Sequence, residues 1–219
     1  MKEANIVLFE DYWLSRYVKE ALEQGGYNFK DDADRLGSFK DDLISRPNWD
    51  LIIVAAESRG GIRGEFFDYI LQQLDSGAGL IMELWTLDTL YNGRIQPILE
   101  KCGLEFQDNW VNPSSRSVIP LVPENPIFHE PNEVSLGRFL MFWEGDVGDL
   151  IKKSSDGGDA IILGGTNINN KNGEGILATC MGGRMILQTF STHDHRESDA
   201  VMMWQNYIYY ALKNHFSGK

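Results

Sequence analysis

Six consecutive apolar residues, Leu51, Ile52, Ile53, Val54, Ala55 and Ala56, constrain this chain more than any other stretch. The run is too short for a helix of ordinary length and does not alternate, so it reads as a strand covered by protein on both faces. A turn bearing Gly60 and Gly61 follows, and over 65–74 the residues Phe66, Phe67, Ile70, Leu71 and Leu74 fall on one helical stripe. Strand, turn and helix make one β-α unit. Such units gather ligand-facing groups just past the carboxyl end of the strand, here Glu57, Ser58 and Arg59.

The same unit recurs on either side. Ile6, Val7, Leu8 and Phe9 form a short apolar run ending on Glu10 and Asp11. Trp13, Tyr17, Val18, Ala21 and Leu22 then recur at helical spacing until Gly25 and Gly26 stop the helix. Tyr27, Asn28 and Phe29 predict an edge strand, and 40–45 a short helix closed by Pro47. Leu80, Ile81 and Met82, led in by Gly77-Ala78-Gly79, predict a third parallel strand. A helix over 87–102 follows, with Leu90, Ile95, Ile98 and Leu99 facing inward. Parallel strands need helical crossovers, so three units at this spacing predict a doubly wound, mostly parallel, flavodoxin-like sheet.

From 105 to 133 the texture changes. Pro113, Pro120, Pro123, Pro126 and Pro131 make this a long irregular excursion, in which 118–122 offers an edge strand interrupted by proline. The run 139–143 reads as a strand or an apolar loop segment. Strands over 159–163, 175–180 and 184–190 come next, the last two forming a hairpin through Met181-Gly182-Gly183. A closing aromatic helix over 198–216 packs Val201, Trp204, Ile208 and Leu212 back on the sheet. With no repeat, low-complexity tract or convincing boundary, the 219 residues read as a single α/β domain, 1–219.

Apolar residues make up 42% of the chain, enough for a well-buried core. A formal charge of −12 argues against sequence-independent binding to nucleic acid, which needs a basic surface. No run approaches the roughly 18 apolar residues of a membrane span, and no basic region followed by a long apolar segment opens the chain. A cytoplasmic protein is the expectation. Cys102 and Cys180 lie far apart without metal-ligand spacing, which suits a reducing compartment.

Four stretches resemble the class I glutamine amidotransferase-like superfamily, and within it the trehalose-utilisation (ThuA-like) branch. Asp50-Leu51-Ile52-Ile53-Val54-Ala55-Ala56-Glu57 sits where that family has its second functional loop. Ser76-Gly77-Ala78-Gly79-Leu80-Ile81-Met82-Glu83-Leu84 is similar to the lead into its nucleophile turn. Asn125-Pro126-Ile127-Phe128 with Trp143-Glu144 resembles a ThuA-like segment. Gly183-Arg184-Met185-Ile186-Leu187-Gln188-Thr189-Phe190-Ser191-Thr192-His193-Asp194 resembles the last strand, which ends at a family histidine. The resemblance implies an amidotransferase-like fold with His193 at its site. The departures bear on activity. Amidotransferases carry a cysteine in a Gly-x-Cys-x-Gly turn, whereas this chain has Met82-Glu83-Leu84-Trp85, and two residues beyond His193 stands His195 in place of glutamate. Without a thiolate there is no acyl-enzyme chemistry, so glutamine hydrolysis is not expected.

Strand ends in such a sheet converge, which nominates Glu10, Asp11, Glu57, Arg59, Gly60, Trp85 and Asp194 as ligand-binding residues and His193 and Glu83 as catalytic ones. His193 and His195 are candidate ligands of a divalent metal, the one cofactor this set suggests. The same carboxylates also suit helix capping and ion pairing with Arg59. Trp13, Trp85, Trp110 and Trp143 are candidates for a carbohydrate-stacking wall, for core or for a subunit contact. The amides of Asn167, Asn169, Asn170 and Asn172 suit a sugar or a tight turn. The expected function is binding of a small polar or sugar-like ligand, or an assembly role as a homo-oligomer. The alternative is a carbohydrate-active enzyme built on His193 and strand-end carboxylates.

Overall fold

The computed structural model describes residues 1–11, 15–46, 48–56, 62–87, 93–110, 118–134 and 147–217. The chain opens with β1 (Ile6–Glu10), α1 (Tyr17–Gln24), β2 (Phe29–Asp31), α2 (Leu36–Ser45) and β3 (Leu51–Ala55). Next come α3 (Glu65–Asp75), β4 (Gly79–Glu83), α4 (Gln96–Cys102), β5 (Leu104–Asp108) and β6 (Ile119–Pro120). The remainder is β7 (Leu150–Lys153), β8 (Ile161–Gly165), β9 (Gly175–Cys180), β10 (Met185–Gln188) and α5 (Glu197–Ser217).

Among the described residues these strands form one sheet in the order β2-β1-β3-β4-β10-β9-β7-β5, with β8 on β9 and β6 on β8. The half from β2 to β10 is parallel throughout, and β9, β7, β5, β8 and β6 extend it antiparallel. This is the predicted doubly wound α/β sheet with a hairpin and a closing helix, and β10 is both the hairpin's second arm and the fifth parallel strand.

Alternate residues of the parallel strands feed two apolar layers. Val7, Phe9, Ile52, Val54, Leu80 and Met82 pack with Phe39, Phe67, Ile70, Ile98 and Leu99 of α2, α3 and α4. Ile6, Leu8, Leu51, Ile53, Ile81 and Ile186 pack on the other face with Leu22 of α1 and Trp204, Tyr207, Ile208 and Leu212 of α5. Every residue of β3 is buried, which is why its run is continuous and not alternating. Truncating one of these, Ile53→Ala for example, costs about 3 kcal/mol.

Several boundaries differ from expectation. α2 starts at Leu36, four residues before the predicted 40. Of the helix predicted over 87–102, the described part is Gln96–Cys102; Leu90 and the run 139–143 lie outside the described residues. The predicted irregular excursion begins instead with β5, which pairs antiparallel with β7. Gly103 ends α4 at φ 77, and a side chain there would collide with the backbone of Gly157 and Gly158, so only glycine fits.

The two cysteines that the sequence separates are bonded to each other. Cys102 at the end of α4 and Cys180 at the end of β9 form a disulfide with Cα atoms 5.3 Å apart, inside the ordinary range. The expectation of a reducing compartment, which rested on their separation, loses its support. No described helix is long and apolar enough to cross a membrane.

Candidate functional site

Glu10, Ala55, Glu83 and Gln188 are register partners across β1, β3, β4 and β10. Residues in register share a face of the sheet, so three polar side chains line up at the carboxyl ends of the parallel strands, on the side of α1 and α5. Glu10 and Glu83 are two strand spacings apart, about 10 Å between Cα atoms. All three are buried.

Glu83 stands where the sequence resemblance put the nucleophile turn. Its Oε1 accepts from Gln188 Nε2 at 2.9 Å and from the Thr192 backbone N–H at 2.8 Å, and also from the Thr192 hydroxyl. Gln188 Nε2 donates in addition to the Phe190 carbonyl at 2.8 Å, while Gln188 Oε1 accepts from the Tyr207 hydroxyl at 3.0 Å. Trp204 Nε1 donates to Thr192 Oγ1 at 3.2 Å. A buried carboxylate needs donors, and here β10 and the loop after it supply them, while Trp204 and Tyr207 of α5 donate in turn to Thr192 and Gln188. Burial pushes the Tyr207 hydroxyl well above its usual range, with the Glu83 charge adding to it, so the phenol stays protonated as a donor.

This network fixes the loop that carries the histidines. Thr192 begins a 3-10 turn, Thr192–Asp194, so His193 follows directly on the anchored residue and is half-buried. His195 is buried, its ring 5.6 Å from that of Phe190, and its N–H returns to the Thr192 carbonyl at 3.0 Å. Among the described residues no group of three or more His, Cys, Asp or Glu side chains is placed to hold a metal ion.

Glu10 has a different job. Oε1 accepts from the Val18 N–H at 2.8 Å, and Oε2 from the Lys19 N–H at 3.2 Å and Arg16 Nε at 3.1 Å. A carboxylate at the end of β1 thus caps the start of α1, where backbone N–H groups have no helical partner. Burial pushes its carboxyl up to about 7 against the pull of these donors. Arg16 also grips Asp31 through both terminal nitrogens, at 2.8 and 2.5 Å, and so ties β1, α1 and β2 together. Asp11 is half-buried, with its N–H on the Ala55 carbonyl at 2.8 Å.

Trp85 and Trp110 meet at the carboxyl end of β4, with ring centroids 4.4 Å apart and planes at 44°. Both are half-buried. Asp149, fully buried, holds the two segments. One carboxylate oxygen accepts from the Trp110 N–H at 3.0 Å, the other from the Leu87 N–H, and its own N–H donates to the Trp85 carbonyl at 2.9 Å. Gly148 beside it runs so close to the Trp85 and Thr189 carbonyls that a Cβ would strike both.

The structure thus brings Glu83 to the histidine loop and places Trp85 beside Trp110, with Glu10 in the same row. Glu57, Arg59, Gly60, Trp13 and Trp143 lie outside the described residues, as does the Asp194 side chain. Asn167 and Asn170 both donate to the Glu174 carboxylate, at 2.9 and 3.1 Å, which makes that loop a turn closed on itself. Sequence reasoning did not single out Gln188, Thr192, Tyr207 or Asp149. A glutamine at the end of an apolar strand, at a position facing the core, was the signal for the first of them.

No family model matches the chain, and no curated protein matches it. Among solved structures, a Thermoplasma acidophilum protein provisionally assigned as one subunit of GMP synthase is similar at a TM-score of 0.54 and 9% identity, covering 99% of this chain and 96% of that one. That likeness is one of fold. The PurLQS structure from Thermotoga maritima aligns at a TM-score of 0.44 and 13% identity, over 96% of this chain and 99% of that chain, too low to bear on the fold.

Proposed function

We propose that the chain is an amidotransferase-like α/β domain without a thiol nucleophile, which binds a small polar or sugar-like ligand over the carboxyl ends of β1, β3, β4 and β10. The observation that carries this reading is the half-buried Trp85–Trp110 pair at the end of β4, held from beneath by Asp149. Aromatic faces beside polar strand ends suit a ligand with one apolar face and several hydroxyls. Both cysteines of the sequence are bonded to each other beside Met185, at the opposite end of β10 from Gln188. A cysteine mechanism at Glu83 therefore has no sulfur to use.

The alternative, a carbohydrate-active enzyme using His193 and a strand-end carboxylate, has less support. Glu83 Oε1 takes three donors and Glu10 takes three, so both carboxylates are engaged in holding the scaffold. No observation favours an assembly role. The test is quenching of tryptophan fluorescence during titration with a panel of hexoses, disaccharides and polyols. Saturable quenching by one class, lost in Trp110→Ala, is expected. A flat response across the panel from a folded protein would remove the proposal.

A further inference from the structure

Cys102, Cys180 and Met185 bring three sulfurs together far from the strand ends that carry the ligand site. Met185 is the Cα register partner of Cys180 across the β9–β10 hairpin, and Met185 Sδ lies 3.3 Å from Cys102 Sγ. All three side chains are buried in the apolar layer formed with α4. The hairpin turn above them is held by Asp159, whose carboxylate accepts from the Met181 N–H at 2.7 Å and from the Gly182 N–H. Cys180 is thus one residue beneath a surface turn.

We propose that, once the disulfide is reduced, Cys102, Cys180 and Met185 form a buried three-sulfur site for one soft monovalent cation, Cu(I) or its mimic Ag(I). Reduction by a thiol or phosphine takes two electrons and two protons into the S–S bond, leaves two thiols, and oxidises the reductant to its disulfide or phosphine oxide. Two reduced sulfurs no longer share a bond and move apart to van der Waals contact, a separation at which both can bond to one small ion seated beside them. On binding, one thiol loses its proton to water and forms a sulfur–metal bond. The second thiol and the thioether donate as neutral ligands.

The charge selects the ion. One monovalent cation with one thiolate is neutral, so it adds no net charge to an apolar layer where an unpaired charge is costly. A divalent ion there would need two thiolates for neutrality and a fourth donor for its preferred geometry, and no further His, Cys, Asp or Glu joins the cluster among the described residues. Thiolate and thioether donors favour Cu(I) among common metals.

The experiment uses the full chain, reduced with a phosphine that is then removed under nitrogen, and titrated with Ag(I). Native mass spectrometry should show one ion per chain, and the melting temperature should rise with the first equivalent. The oxidised protein should bind none. Met185→Leu keeps the volume and the fold and should bind at least tenfold more weakly. Failure of the reduced protein to take up one ion would overturn the site. Equal binding by Met185→Leu would remove the thioether and with it the three-sulfur set, and equal binding by the oxidised protein would place the ion elsewhere.

Discussion

The Thr192 backbone N–H donates to the Glu83 carboxylate at 2.8 Å across 109 residues of sequence. Glu83→Ala would take this acceptor from that N–H and from the Thr192 hydroxyl, while the Gln188 amide would keep the Phe190 carbonyl. A loss of about 3 kcal/mol is expected, read as a melting temperature lower by about 10 °C. Glu83→Gln, which keeps an acceptor oxygen, should lose about 1 kcal/mol. An alanine variant as stable as the parent would mean that other contacts hold the histidine loop.

Glu10 makes stability depend on pH. Its ordinary value is 4.5 and burial raises it to about 7 in the folded chain. Between those values the folded carboxyl keeps a proton that the unfolded one has released, so stability falls as pH rises through this window. The whole fall is worth about 3 kcal/mol. Urea unfolding at about pH 5 and about pH 8 should show it, and Glu10→Gln should flatten the difference. An unchanged slope in the variant would assign the dependence to another group.

His129 bridges two acceptors, the Pro123 carbonyl and the Glu133 carboxylate, each at 2.7 Å. Both ring nitrogens must then carry protons, and these two contacts raise its pKa above 6.5, the Glu133 hydrogen bond most. The stabilisation is complete below 6.5, the unfolded value, and disappears as pH rises through the folded value. A ring-proton titration by NMR should give a midpoint above that of an unstructured peptide, and Glu133→Gln should lower it. A midpoint unmoved by that substitution would end the assignment.

Reduction of the Cys102–Cys180 bond should destabilise the fold. The bond closes a loop with a sequence separation of 78, for which chain-entropy arguments give about 4 kcal/mol. Thermal unfolding with and without a phosphine reductant measures it. If melting temperatures coincide, the reduced chain is held as firmly by packing alone.

What could be read from the sequence was whatever depends on near neighbours. The β3 run is continuous because both faces are covered, and the stripes of α3 and α5 repeat within a turn or two, so fold class and most elements were legible. β5 and β7 were not. Leu104–Asp108 is exposed at its far end, and Leu150–Lys153 is half lysine, so each owes its strand conformation to the other, and they sit far apart in the chain. The disulfide was hidden for the same reason. Glu83 was legible as a strand-end residue, whereas Trp85 lies just past β4 and His193 lies beyond β10 in the Thr192–Asp194 turn. The partners that define what Glu83 does, Gln188 and Thr192, are polar residues whose meaning appears only when β10 lies against β4.

Because Gln188 and Thr192 follow Glu83 by 105 and 109 residues, a nascent polypeptide leaving the ribosome has β1 to β4 long before it has these two donors to Glu83. Until then β4 offers an open backbone edge on the side that β10 will cover, and Glu83 lacks these donors on what will be an interior face. Synthesis of the segment that carries β10 is therefore the step that closes the parallel half of the sheet, and a product truncated before it would be left with the exposed edge that quality-control machinery captures.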